Sequence, residues 1–135
     1  DPSRPKHPVV WSLPVPGEGG DGGVWATPGL YRRAVFVTTN SGRLLAIDRN
    51  SGAVAWELEL AAPLWSSPVV VDGVLIVGDC AGVLHAYELR APLQGPPGQR
   101  WSVQLEGCIE STPAVWKGMV YLGTRGGAVY GIGDA

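Results

Sequence analysis

Few side chains in this sequence have the types and spacing that chemistry demands. Gly17-Glu18-Gly19-Gly20-Asp21-Gly22 spells Gly-x-Gly-x-x-Gly. Phosphate binding, however, needs a strand before those glycines and a helix N-terminus after them, whose amides face the anion. Here Pro14-Val15-Pro16 precedes the segment and Trp25-Ala26-Thr27-Pro28 follows as strand, so it reads as a connecting loop. Asp48-Arg49-Asn50-Ser51-Gly52 opens like a calcium loop but lacks the downstream bidentate glutamate. The histidines are His7 and His85, and neither stands in a Ser-His-Asp or Cys-His arrangement. A zinc set of Cys80, His85 and Cys108 matches no closed-site spacing. The expectation is therefore no catalytic residue, no metal and no cofactor, in a chain that is not an enzyme.

Charge argues the same way. Ten basic residues face twelve acidic ones, for a net charge of -2. A nucleic-acid binder would carry a basic surplus. No run approaches the ~18 apolar residues of a membrane helix, and Asp1 to Pro8 is a polar, proline-rich tail without the apolar middle of a signal peptide. Hydrophobic residues make up 45% of the chain, six of them Trp, which argues against disorder. Twenty Gly and twelve Pro argue against long helices.

Stepping along the chain, one pattern returns in register. Val24-Trp25-Ala26-Thr27-Pro28 recurs as Leu64-Trp65-Ser66-Ser67-Pro68 and as Ile109-Glu110-Ser111-Thr112-Pro113. Gly42, Gly82 and Gly127 each open an apolar run, and Trp11, Trp56 and Trp101 mark a third register. The second unit predicts strands over 64–71, 74–78, 83–89 and 100–105, with turns at Asp72-Gly73 and Asp79 to Gly82 and a loop over 91–98. Asp-Gly between apolar runs is a strong hairpin signal. No window has a helical period. Four short strands in roughly 40 to 45 residues make a propeller blade. The predicted fold is all-β, with about three blades of four antiparallel strands. Its parts are an outer strand 9–14, blade one 23–60, blade two 63–105 and blade three 108–133.

Ala46-Ile47-Asp48-Arg49-Asn50-Ser51-Gly52-Ala53-Val54-Ala55-Trp56 resembles the tryptophan-docking motif Ala-x-Asp-x-x-x-Gly-x-x-x-Trp of the pyrroloquinoline quinone (PQQ)-like propeller repeats. Unit two has Glu88 for the Asp and an insertion before Trp101; unit three has Gly131 and Gly133 where Ala and Asp would stand. The resemblance implies structural docking for Trp11, Trp56 and Trp101, each covering the backbone of a neighbouring blade. It also implies that an N-terminal strand completes a last blade. Two arrangements then stay open: a six-bladed ring of two chains associated head to tail, or a part of a longer propeller.

In a propeller of this layout, one end gathers Trp25, Trp65 and Glu110 at the start of the inner strands, with Asn40, Cys80 and Arg125 on adjacent turns. That end is the candidate face for a protein partner or peptide; the plain alternative is that the two Trp pack between blades. Cys80 and Cys108 reach the same end, either as an inter-blade disulfide or as two free thiols. The resemblance implies a non-catalytic scaffold or protein-binding module. Relatives of this kind include scaffold lipoproteins of outer-membrane protein assembly, which implies an exported, periplasmic or extracellular location. Its rival is a fragment of a PQQ-dependent dehydrogenase without its cofactor site.

Overall fold

The computed structural model describes residue 3, residues 9–15 and residues 23–133. Three antiparallel sheets follow one another in sequence. The first holds β1 (Gly29–Tyr31), β2 (Ala34–Thr38), β3 (Arg43–Asp48) and β4 (Val54–Glu59). The second holds β5 (Val69–Val71), β6 (Val74–Gly78), β7 (Val83–Glu88) and β8 (Gln99–Gln104). The third holds β9 (Ala114–Trp116), β10 (Met119–Gly123) and β11 (Val129–Ile132). Each sheet is a meander in chain order. These are propeller blades, and no helix occurs among the described residues.

The turns fall where the sequence places them. Arg32, Asp72 and Lys117 all have φ near +50° and join the first two strands of their blades. A primed two-residue turn needs such angles, because its twist matches that of the flanking strands. In both four-stranded blades a register shift follows the third strand's alanine and sets Ala46 opposite Trp56 and Ala86 opposite Trp101. A small residue under each indole leaves room for the ring.

Alternation puts one face of each blade against the next. Phe36, Leu44 and Ala46 of blade one meet Leu75, Val77 and Tyr87 of blade two in one fully apolar cluster. Ile76, Leu84 and Ala86 then turn to Val120, Leu122 and Ile109 of blade three. The outer face of blade one, Val37, Leu45 and Ile47, is covered by Trp11, Leu13 and Val15. On blade three the face that matches the one blade one turns to blade two is open: Val129 is 83% exposed and Tyr121 42%, where the matching Leu44, Leu84 and Phe36 are fully buried.

Two strand expectations need correction. The outer strand over 9–14 is not a strand: residues 9–15 join no ladder, and what holds them is packing on blade one and the bond from the Trp11 indole to Arg49 O at 2.8 Å. The first strand of blade two begins at Val69 rather than Leu64. Pro68 has no N–H to give a ladder, and the amide of Leu64 turns to the preceding blade, donating to Thr39 O at 3.1 Å.

Candidate functional site

The connections entering each blade are tied to the turns between second and third strands. Asn40 N donates to Gly23 O at 3.0 Å, Cys80 N to Pro63 O at 2.9 Å, and Arg125 N to Cys108 O at 3.0 Å. These are one bond repeated in three blades. A second repeated bond crosses between blades: Ile109 N donates to Asp79 O at 3.1 Å, as Leu64 N does to Thr39 O. The inner strands are sewn together as well. Thr27 N donates to Ser67 Oγ at 2.9 Å, and Ser66 Oγ donates to Ser111 O at 2.8 Å. Side chains three residues before Pro28, Pro68 and Pro113 are therefore delivered to one end of the blades, side by side.

Those side chains are Trp25, Trp65 and Glu110. The two indoles stack, with centroids 5.5 Å apart and planes 23° from parallel. Trp65 is further fixed by its ring N–H, which donates to Asn40 Oδ1 at 2.5 Å. Arg125 Nε meets Glu110 Oε1 at 3.0 Å. Trp25, Trp65, Glu110 and Arg125 line a cavity of about 410 Å³. The structure thus brings Trp25, Trp65, Asn40, Glu110 and Arg125 to one place. Trp25 and Trp65 do contact across blades, yet Trp25 stays 67% exposed, so packing does not consume it.

Cys80 and Cys108 form a disulfide beside this cavity. It joins the turn of blade two to the residue two before Glu110. Its two sulfurs are bonded to each other, and His85 is engaged elsewhere. His85 Nε2 lies 2.8 Å from Asp79 Oδ2, and Asp79 Oδ1 accepts from the amides of Ala81 and Val83. Sequence reading missed this buried pair; the Asp79 turn and a histidine two strand positions into β7 were the available signals. Burial, with the Asp79 charge added, raises the Tyr87 hydroxyl above its usual range. No group of three or more potential metal ligands exists among the described residues.

The remaining candidates have structural surroundings. Asp48 Oδ1 accepts from the amides of Asn50 and Ser51, and Oδ2 takes Arg33 at 2.6 Å, so the calcium-like turn is capped by its own backbone. Trp11 and Trp56 donate their ring N–H to backbone carbonyls of the following blade, Trp56 to Pro92 O at 2.6 Å. Trp101 packs against the blade two–three cluster. The Gly17–Gly22 loop and His7 lie outside the described residues. A second cavity, of about 520 Å³, lies under the proline-rich loop after β7 between Glu88 and Arg100.

Comparison with known proteins adds a family. A family model described as outer membrane protein assembly factor BamB matches residues 5–91. A protein of that name from Moranella endobia is 28% identical over 100 residues, covering 70% of this chain and 24% of the relative. Another, from Alkalilimnicola ehrlichii, is 33% identical over 100 residues, covering 64% and 24%. The crystal structure of BamB from Moraxella catarrhalis superposes with a TM-score of 0.65 at 27% identity, covering 78% of this chain and 32% of that one. The chain spans about a quarter of the length of those two curated relatives.

Proposed function

Because the chain belongs to the BamB family of PQQ-like propellers, we propose that it is a non-catalytic propeller scaffold that binds protein partners through the end carrying Trp25, Trp65, Glu110 and Arg125. One observation carries the reading: a mostly exposed Trp25 is held in a fixed stack beside a fixed ion pair, on a scaffold otherwise spent on packing. Exposed aromatic and Arg anchors in a preformed hollow are what protein interfaces use. Its family relatives are named for outer membrane protein assembly, so the partner belongs to that process and the site of action is outside the cytoplasm. An inter-blade disulfide suits that oxidising setting.

The open face of blade three repeats the positions that stack blades one and two, and it takes a further blade, from a second copy or from more of the same chain. The partner reading is tested by photo-crosslinking in a bacterial periplasm, with the reactive amino acid at position 25 or, at the opposite end of the blades, at position 72. Adducts with an outer-membrane assembly protein from position 25 alone are expected. Equal adducts from both positions, or alcohol oxidation when PQQ is added, overturn it.

A further inference from the structure

The cavity between the indoles and the ion pair has a lopsided hydrogen-bonding character. Each of its acceptors but Glu110 Oε2 already takes one hydrogen bond or ion-pair contact. Asn40 Oδ1 accepts from Trp65, and the Glu110 carboxylate is held by Arg125. The backbone carbonyls to either side, Cys108 O and Ser111 O, accept from Arg125 N and Ser66 Oγ. Its donors are not used up. Trp25 Nε1 makes no hydrogen bond among the described residues, and the Arg125 guanidinium meets Glu110 through Nε, leaving its terminal N–H groups toward solvent. Arg carries five N–H donors in a fixed fork.

The free Trp25 and Arg125 donors call for a guest that brings carbonyls, and the stacked indoles for one with a flat apolar surface. A glycan brings mainly hydroxyls and few carbonyls. Ordinary extended peptide brings one N–H per residue. Proline removes that donor, keeps the carbonyl and offers a flat ring to an indole. Its segments are also extended in advance, so little entropy is lost on binding. The paired Glu110 and Arg125 are neutral together, which selects no charged guest.

Resting on the partner reading above, we propose that this cavity binds proline-rich extended segments, with prolyl rings on Trp25 and Trp65 and prolyl carbonyls accepting from Arg125. The disulfide and the Asn40 bond set the cavity's shape before the guest arrives, which lowers the cost of binding.

The test is a titration of the 135-residue chain with a fluorescein-labelled decaproline peptide, followed by anisotropy. A labelled Gly-Ser decapeptide and unlabelled chitohexaose, the latter followed by tryptophan emission, are the comparisons. Decaproline is expected to bind saturably and the Gly-Ser peptide not. Trp25→Ala and Arg125→Ala should each weaken decaproline by about tenfold, the usual size of an anchor's loss. Both side chains are exposed, so neither variant should disturb the fold, and Trp116→Ala, at another exposed Trp, should change nothing. Decaproline binding no tighter than Gly-Ser, or unaffected by Trp25→Ala, overturns the proposal. So does Trp25-dependent binding of chitohexaose without decaproline. If decaproline fails while position 25 still crosslinks to an assembly protein, only the ligand class falls; if both fail, the partner reading falls too.

Discussion

Gly52 lies directly beneath the indole of Trp11: a Cβ at Gly52 would stand 2.7 Å from Trp11 Cδ2, where no carbon can sit. Gly52 also has φ +78°, a left-handed conformation that side chains resist. The ring is anchored a little further on, at Arg49 O. Gly52 is thus needed twice, for its angle and for its bare surface. Gly52→Ala should destabilise the chain by about 2–3 kcal/mol through overlap and strain together. Thermal unfolding measures the loss, and a shift in tryptophan emission should report the displaced indole.

Trp56 donates its ring N–H to Pro92 O of blade two, but it is buried and belongs to the main apolar cluster. Trp56→Ala should cost about 3–5 kcal/mol, as large aromatic deletions do. Trp25→Ala, at an exposed position, should cost under about 1 kcal/mol. Urea unfolding of the two variants separates a structural tryptophan from a surface one.

The disulfide closes a segment of 28 residues between neighbouring blades. On the chain-entropy account a loop of that size is worth about 3–4 kcal/mol. The Cys80→Ser, Cys108→Ser double variant, or reduction of the native chain, should lower stability by that order in urea unfolding. Loss confined to a few tenths of a kcal/mol would show that the two blades are held by packing alone.

Asp48 supplies a pH dependence. Its carboxyl lies below the ordinary value of 3.8, chiefly because the Asn50 amide donates to it, with the Ser51 amide and Arg33 adding and desolvation opposing. A depressed folded value means the carboxylate stabilises the fold above the unfolded pKa, and that this contribution is lost as pH falls through the folded one. The unfolding temperature should therefore drop below about pH 4. Asp48→Asn should flatten that part of the acid limb, a modest change because the site is exposed.

The open face of blade three predicts self-association. Exposed apolar faces and unpaired strand edges promote it. Light scattering should show the 135-residue chain heavier than a monomer. Val129→Lys with Tyr121→Lys should restore the monomer mass. A monomer in both cases would contradict the stacking role of this face.

The repeat made the blades legible from sequence. Pro28, Pro68 and Pro113 sit just before the inner strands, and Gly42, Gly82 and Gly127 sit in the turns before the third strands. The same register placed Trp25, Trp65 and Glu110 at one end, because equivalent positions in stacked blades are neighbours in space. What the register does not encode is the direction of individual bonds. Leu64 has strand-like neighbours, yet its amide goes to Thr39 of the previous blade. Residues 9–15 alternate like a strand, yet packing on blade one holds them without a ladder. The Asn40–Trp65 bond and the Asp79–His85 pair depend on rotamers that no spacing rule reaches. The pairing of Cys80 with Cys108 was open in the sequence, because both the bridge and free thiols suit adjacent turns.

On the proposed function, the end of the blades marked by Trp25 and Trp65 receives the partner. Each tryptophan gives one indole N–H signal in a nitrogen-15 correlation spectrum, so the six rings report separately. Adding the assembly protein captured from position 25 should move the Trp25 and Trp65 signals and leave those of Trp11 and Trp56, which are bonded to Arg49 O and Pro92 O, in place. Unmoved Trp25 and Trp65 signals, with changes only at Trp11, Trp56 or Trp116, would contradict the account.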